Sequence, residues 1–341
     1  MTALLIAIGA VQLWIVTAGF LGWPQYSTGY SRLAEAFLHG QTSLLLQPSP
    51  RLLALPDPYD PLTNGPYSLH DAVLFNGKYY IYFGPTPALF VAAVCAILGK
   101  SNPSFGDEFL ALPLIFATTI LAAILIVHSR KALFPRQPAW TAGIFIISLG
   151  LGTPLLYTLA RCAIYEVAIA AGQFFLLAGI LTAWFGLTAP RAKTLLMILS
   201  GICLALSVGS RFSLAPAVGA IALLSIWRMR RLQPGTQHWL APAAGLLIPL
   251  FAGAFLLCCY NYARFHSITE FGMRYQLAER NQHAQPLSEY SSPRYVIFNL
   301  YRYLFAPPTL VEHFPFITDP SGMPRFAENF NLPATFGFES V

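Results

Sequence analysis

Seven long apolar runs, set apart by short polar segments, constrain this chain more than any other feature of its sequence. A bilayer core about 30 Å thick is crossed by about 20 predominantly apolar residues in a helix. The runs that reach or approach that length are residues 4–22, 109–127, 140–160, 164–187, 194–208, 214–227 and 239–260. Only 10% of the residues are charged and 56% are hydrophobic, whereas a soluble domain carries about 25% charged residues. That balance excludes a soluble enzyme and a disordered chain. The net charge of +6 does not make a nucleic-acid binder, because the basic residues fall in short clusters between apolar runs. Cys95, Cys162, Cys203, Cys258 and Cys259 lie in or beside apolar stretches without metal-ligand spacing, and read as small core residues. The expected fold is an all-α polytopic membrane protein whose first partner is the lipid bilayer.

Charge then orients the spans. Three connecting segments are purely basic: Arg130, Lys131 and Arg136; Arg191 and Lys193; Arg228, Arg230 and Arg231. Between Phe109 and Thr269 the only carboxylate is Glu166. An excess of Lys and Arg marks cytoplasmic loops, so these three segments are placed inside. Alternation puts residues 161–166, Arg211 and everything after Tyr260 outside. The apolar run 85–98 is short and opens with prolines, so it is expected to lie along the outer interface. The expected organisation is a first transmembrane helix (1–22), an outer loop (23–108) with two juxtamembrane helices, a six-helix bundle (109–260) and an outer C-terminal segment (261–341). After Gly22 come Trp23 and Pro24, with no small-residue cleavage site, so the first helix is expected to be retained.

Polar chemistry concentrates in the outer loop. Residues 29–39 place Leu33, Ala34, Ala36 and Phe37 on one helical face, with Arg32 and Glu35 opposite, as in a helix lying on a membrane surface. Asn76-Gly77 between apolar runs predicts a hairpin with strands at 73–75 and 79–83. Asp57 and Asp60, each beside proline, suit turn chemistry. Yet two aspartates, the pair His70-Asp71, Lys78, Tyr79 and Tyr80 crowd one short stretch. Glu166, five residues after Arg161, and Arg211 stand at the mouths of spans, where ionisable groups mark function, helix capping or snorkelling. Arg264, Glu270, Arg274 and Tyr275 form either an ion-pair cluster or a head-group clamp. Asp71, His70 and Lys78 are expected to share one outer cavity with Glu166 and Arg211.

One span, a surface helix, a hydrated acidic stretch and an aromatic-Gly-Pro-x-Pro segment together resemble the GT-C superfamily, polytopic glycosyltransferases such as the protein O-mannosyltransferases and the aminoarabinose transferases of lipid A. The strings LPDPYDP, LHDAVLFNGKYYIYFGPTPAL, VGSR and EFGMRYQL look like a bacterial group of GT-C-like membrane proteins. The resemblance implies a GT-C-like bundle in the bacterial cytoplasmic (inner) membrane. It also implies transfer of a sugar from a polyprenyl-phosphate donor to an acceptor outside. Asp71 or Asp60, or failing these Asp57, would be the base, and His70 its neighbour or a metal ligand. Lys78, Arg161 and Arg211 would hold phosphate, and Glu166 would position the acceptor or a divalent cation such as Mg or Mn. Two features depart from the family pattern. The stretch 27–32 lacks the acid that GT-C enzymes carry at the start of the first surface helix. The chain also ends where the family has further spans, as a truncated one would. The alternatives are an inactive GT-C-like scaffold or a lipid-linked sugar transporter. Transport is the poorer fit, since the span centres are apolar.

Overall fold

Apolar composition decides which helices form. The computed structural model describes residues 1–188, 193–232, 237–284, 292–307, 309–310, 312 and 317–318. Arg191 and residues 319–341 lie outside the described residues. In chain order the elements are α1 (Thr2–Val16), α2 (Gly29–Leu38), α3 (Pro50–Leu53), α4 (Pro61–Asn64), β1 (Ala72–Phe75), β2 (Lys78–Ile81) and α5 (Thr86–Ile97). They continue with α6 (Glu108–Leu133), α7 (Ala139–Leu151), α8 (Pro154–Ala160), α9 (Ile164–Thr188), α10 (Thr194–Ser210), α11 (Ala215–Leu232), α12 (Leu240–Phe265) and α13 (Val296–Leu304). A two-residue pairing of Thr309–Leu310 with Ile317–Thr318 follows.

Five helical stretches among the described residues are long and apolar enough to cross a bilayer: Glu108–Leu133, Ala139–Ala160, Ile164–Thr188, Phe212–Leu232 and Leu240–Phe265. This is a multi-span membrane protein; the first of the seven expected spans is shorter than anticipated, and the short run at 194–208 forms a helix of 17 residues, below the length of the five. The first run stops being helical at Val16, because Ala18, Gly19 and Phe20 all take positive φ. Its 15 residues rise about 23 Å. Helix α10 has 17 residues and rises about 26 Å. It sits between α9 and α12 through small residues: Ser200 donates to the Gly179 carbonyl at 2.8 Å and Ser207 to the Gly172 carbonyl at 2.9 Å. Polar residues joining helices in this way substitute for a hydrophobic driving force that lipid does not provide.

The third run is one apolar stretch but two helices. Pro154 has no N–H to give the Gly150 carbonyl four residues back. Gln12 of α1, fully buried, supplies the missing donor at 3.2 Å and also reaches Thr119 Oγ1 of α6 at 3.1 Å. A backbone carbonyl freed at membrane depth must find such a partner.

The loop before α6 is a packed cap rather than a loose surface segment. Helix α2 begins at Gly29 as its periodicity predicts, and Leu33, Ala34 and Ala36 are buried against α5. At 12 residues, α5 is about 18 Å long, well short of a bilayer core. The hairpin forms at the expected place, with Asn76 (φ 47°) and Gly77 (φ 70°) turning the chain between β1 and β2. Both central residues at positive φ make the turn that matches strand twist.

Three later segments hold this hairpin. Gly84 lies so close to the end of α10 that an added Cβ would fall 2.0 Å from the Gly209 carbonyl oxygen. Arg264, in the last turn of α12, donates to the Ile81 carbonyl at 2.7 Å. The segment after α12 adds a third edge: the Leu277 amide donates to Ala72 at 2.8 Å and the Asp71 amide to Leu277 at 2.9 Å.

The basic clusters gather at the opposite end of the bundle. His128 packs edge-on against Phe185, Lys193 bonds back to Gly186, and Thr194 abuts Gly245 near the start of α12. Arg230 stacks over Trp239 at 4.9 Å and Arg231 over Trp227 at 4.2 Å. Indole and guanidinium together at span ends suit a membrane–water boundary.

Candidate functional site

Two cavities lie side by side under the hairpin where one was expected. The hairpin cavity, about 310 Å³, is lined by Arg32, His70, Asp71 and Arg161 among apolar and small residues. The arginine cavity, about 730 Å³, is lined by Tyr82, Tyr165, Arg211, Arg264, Glu270 and Arg274, with Val208, Phe212, Leu257 and Phe271. Consecutive residues divide them: Ile81 and Ile164 face the first, Tyr82 and Tyr165 the second.

The arginine cavity collects positive charge from three elements. Arg211 follows the end of α10, donating from Nη2 to the Tyr165 hydroxyl at 2.8 Å and from Nε to Ser213 at 3.1 Å. Its guanidinium also lies 4.5 Å over the Tyr165 ring, and its Nη1 is buried with no partner. Arg264 is 3% exposed. It bonds Asn261 at 2.6 Å and Ile81 at 2.7 Å, lies 4.0 Å over the Tyr260 ring, and leaves Nε buried and unpartnered. Glu270 is the one carboxylate in the lining among the described residues, with one oxygen accepting from the Gly272 amide at 2.7 Å. Burial raises the Tyr82 hydroxyl above its ordinary pKa against the opposing pull of Arg211, so it enters the cavity as a neutral donor. Among the described residues the only ion pair within 4.0 Å is His70 with Asp71, at 3.8 Å. The cavity therefore holds guanidinium groups that no carboxylate neutralises at contact distance.

In the hairpin cavity Asp71 has φ 60°, a conformation that aspartate tolerates better than most residues. Two bonds fix it there: its amide to Leu277, and Gln276 Nε2 to its Oδ1 at 3.3 Å. The neighbouring wall is the start of α2, whose Gly29 and Tyr30 amides donate to the Asp107 carboxylate at 3.1 and 3.2 Å. Asp107 is fully buried, and burial raises its pKa although Ser27 and the two amides hold it down.

The other expected site residues are placed elsewhere. Asp57 accepts from the Tyr59 amide at 2.9 Å and from Asn281 at 2.6 Å, and Asp60 caps α4 through the Leu62 amide at 3.0 Å. Neither lines either of the two cavities, and both serve turns. Lys78 is exposed on the hairpin, away from both cavities. Tyr79 and Tyr80 are buried packing residues, Tyr80 against Phe265. Tyr275 joins an aromatic cluster with Phe75, Phe265 and His283. Glu166 reaches back to the Ala163 amide at 3.2 Å, closing the first turn of α9 as a capping-box acid does. It still lies within electrostatic range of Arg161 and Asp71. Thus His70, Asp71 and Arg161 come together in one cavity, and Arg211, Glu270 and Arg274 in the other.

Sequence reading missed Arg264, Asp107 and Tyr165 as individual contributors. Arg264 was visible only as part of a cluster. Asp107-Glu108, adjacent acids directly before a long apolar run, were the overlooked signal. No three His, Cys, Asp or Glu side chains converge among the described residues. No family model, curated protein or solved structure matches the chain.

Proposed function

We propose that this protein is a membrane glycosyltransferase that moves a sugar from a polyprenyl-phosphate donor to an acceptor at the outer face of a bacterial cytoplasmic membrane. The observation that carries the reading is the arginine cavity: three guanidinium groups, two with buried unpartnered nitrogens, among apolar residues of α10 and α12. An amphiphile with a phosphate head and a hydrocarbon tail suits such a lining. Arginine matches phosphate oxygens with paired donors, and the phosphate gains charge as the sugar leaves.

In the transfer, an acceptor hydroxyl oxygen bonds to the anomeric carbon as the anomeric C–O bond to phosphate breaks. The electron pair goes to the phosphate, which Arg211, Arg264 and Arg274 stabilise. The hydroxyl proton goes to a carboxylate. Glu270 is assigned that role because it alone shares the cavity with the arginines, which moves the base from Asp71, Asp60 or Asp57. Apolar span centres speak for chemistry at the hairpin end over passage through the bundle.

The test is a transfer assay with the detergent-solubilised full chain and a labelled polyprenyl-phosphate sugar. Glu270→Gln should lower turnover by about 100-fold or more, the usual scale for a lost general base. Arg274→Gln should mainly raise the donor KM. Full activity in Glu270→Gln with loss in Asp71→Asn would return the base to Asp71. No transfer by the wild-type protein with any polyprenyl-phosphate sugar would refute the reading.

A further inference from the structure

We infer that the hairpin cavity is a second, separate anion site, built for a small acidic saccharide. Its use as the acceptor site rests on the transfer reading above; the binding itself does not. Three observations support it.

The first is charge. Arg32 and Arg161 both line the cavity, and among the described residues neither has a carboxylate within 4.0 Å. Arg161's nearest acid in sequence, Glu166, is turned to the Ala163 amide, and Asp71 is turned to Gln276 and His70. The lining therefore holds two arginines against one aspartate, neither arginine paired at contact distance, with Glu166 within electrostatic range of Arg161. The start of α2 adds no anion site of its own, since Asp107 already occupies its Gly29 and Tyr30 amides.

The second is size and shape. About 310 Å³ stands at the small end of ligand pockets, which begin near ~300 Å³. That volume admits a single sugar ring with one charged substituent and excludes a polyprenyl chain. The third is the mixed chemistry of the walls. Asp71 and His70 offer an acceptor and a ring nitrogen for hydroxyl groups, while Arg32 and Arg161 offer donors for an oxyanion. A neutral sugar would leave the arginines unanswered, and a bare phosphate would leave Asp71 facing an anion. A saccharide carrying a carboxylate or phosphate satisfies both.

Isothermal titration of the full-length protein in phosphatidylcholine nanodiscs, with glucuronate, glucose 6-phosphate, glucose and inorganic phosphate as probes, tests this. Glucuronate or glucose 6-phosphate should bind at least tenfold more tightly than glucose or inorganic phosphate. Arg161→Gln and Arg32→Gln should each weaken that binding about tenfold or more, while Arg51→Gln, an exposed arginine of α3, should not. Thermal melts of the variants separate lost binding from lost folding, and Asp71→Asn, a nearly isosteric change, gives a second reading of the same cavity. Equal binding of glucose and glucuronate, or wild-type affinity in both arginine variants, would overturn the inference. So would loss of probe binding when phosphatidylglycerol is added to the nanodiscs, since a lipid head group would then be the occupant. Because binding is read without turnover, a negative result leaves the donor cavity standing. Conversely, failure of transfer with intact glucuronate binding would count against the donor reading alone.

Discussion

Asp107 shows how much of this site is decided by single side chains that look ordinary in sequence. Its carboxylate takes the first amides of a helix 78 and 77 residues earlier in the chain. Removing a side-chain cap of this kind costs about 1–2 kcal/mol, so Asp107→Ala should lower the stability of the detergent-solubilised protein by that amount in a denaturation series. The pH dependence has a definite sign. Burial raises the Asp107 pKa above its ordinary value, so its protonated form is favoured in the folded state. Stability from this group is present at low pH and declines as pH rises through the elevated value. Asp107→Asn should flatten that decline, read as melting temperature against pH from about 4 upward; an unchanged slope would remove Asp107 as its source. Nothing local in the sequence pairs Asp107 with Gly29. Asp60, by contrast, caps the turn beside its own proline, and that was legible because cap and capped are neighbours.

At the level of elements, periodicity and turn chemistry read well, and helix ends read poorly. The hairpin over residues 72–81 and the start of α2 follow from Asn76-Gly77 and from the spacing of Leu33, Ala34 and Ala36. The early end of α1 comes with positive φ at Ala18, Gly19 and Phe20, and the break before Pro154 is accommodated by Gln12 of another helix, which takes up the freed Gly150 carbonyl. Close helix contact leaves equally firm expectations. An added Cβ at Gly201 of α10 would sit 2.3 Å from the Leu246 carbonyl oxygen of α12. Gly201→Leu should therefore part α10 from α12 and cost about 1–3 kcal/mol or more. It should lower the melting temperature together with the proposed transfer, since Arg211 follows α10 directly. A variant that melts like wild type would show that α12 yields at little cost.

For the whole molecule, charge asymmetry gives the boldest expectation. Basic residues end α6 and α11, while Asp71, Asp107, Glu166 and Glu270 cluster around the hairpin. Cysteines introduced at Gly65 and Gln137 in a cysteine-free background should be labelled from opposite sides of the membrane, Gln137 from the cytoplasm. Labelling of both from one side would reject the sidedness. The class of molecule was legible from composition, and the crowding of polar side chains near the hairpin from motif density. The division into two cavities was not, because it depends on consecutive residues at the end of β2 and the start of α9 facing opposite ways once packed together.

The bond from Arg264 to the Ile81 carbonyl joins residues 183 positions apart, and it sets an order of events during synthesis. At about 5–20 residues per second, the hairpin would leave the ribosome roughly 10–40 s before its clamp exists. Until α12 is inserted, the hairpin lacks Arg264 and the edge that Leu277 provides, so the arginine cavity comes into being only as the last described long helix is delivered. A nascent chain halted before Arg264 would carry nearly the whole bundle and every residue that lines the hairpin cavity, yet lack the arginine cavity, whose lining includes Arg264, Glu270 and Arg274. Arrest at successive lengths, with protease protection of the 72–81 segment as the signal, should show that protection arriving in one late step.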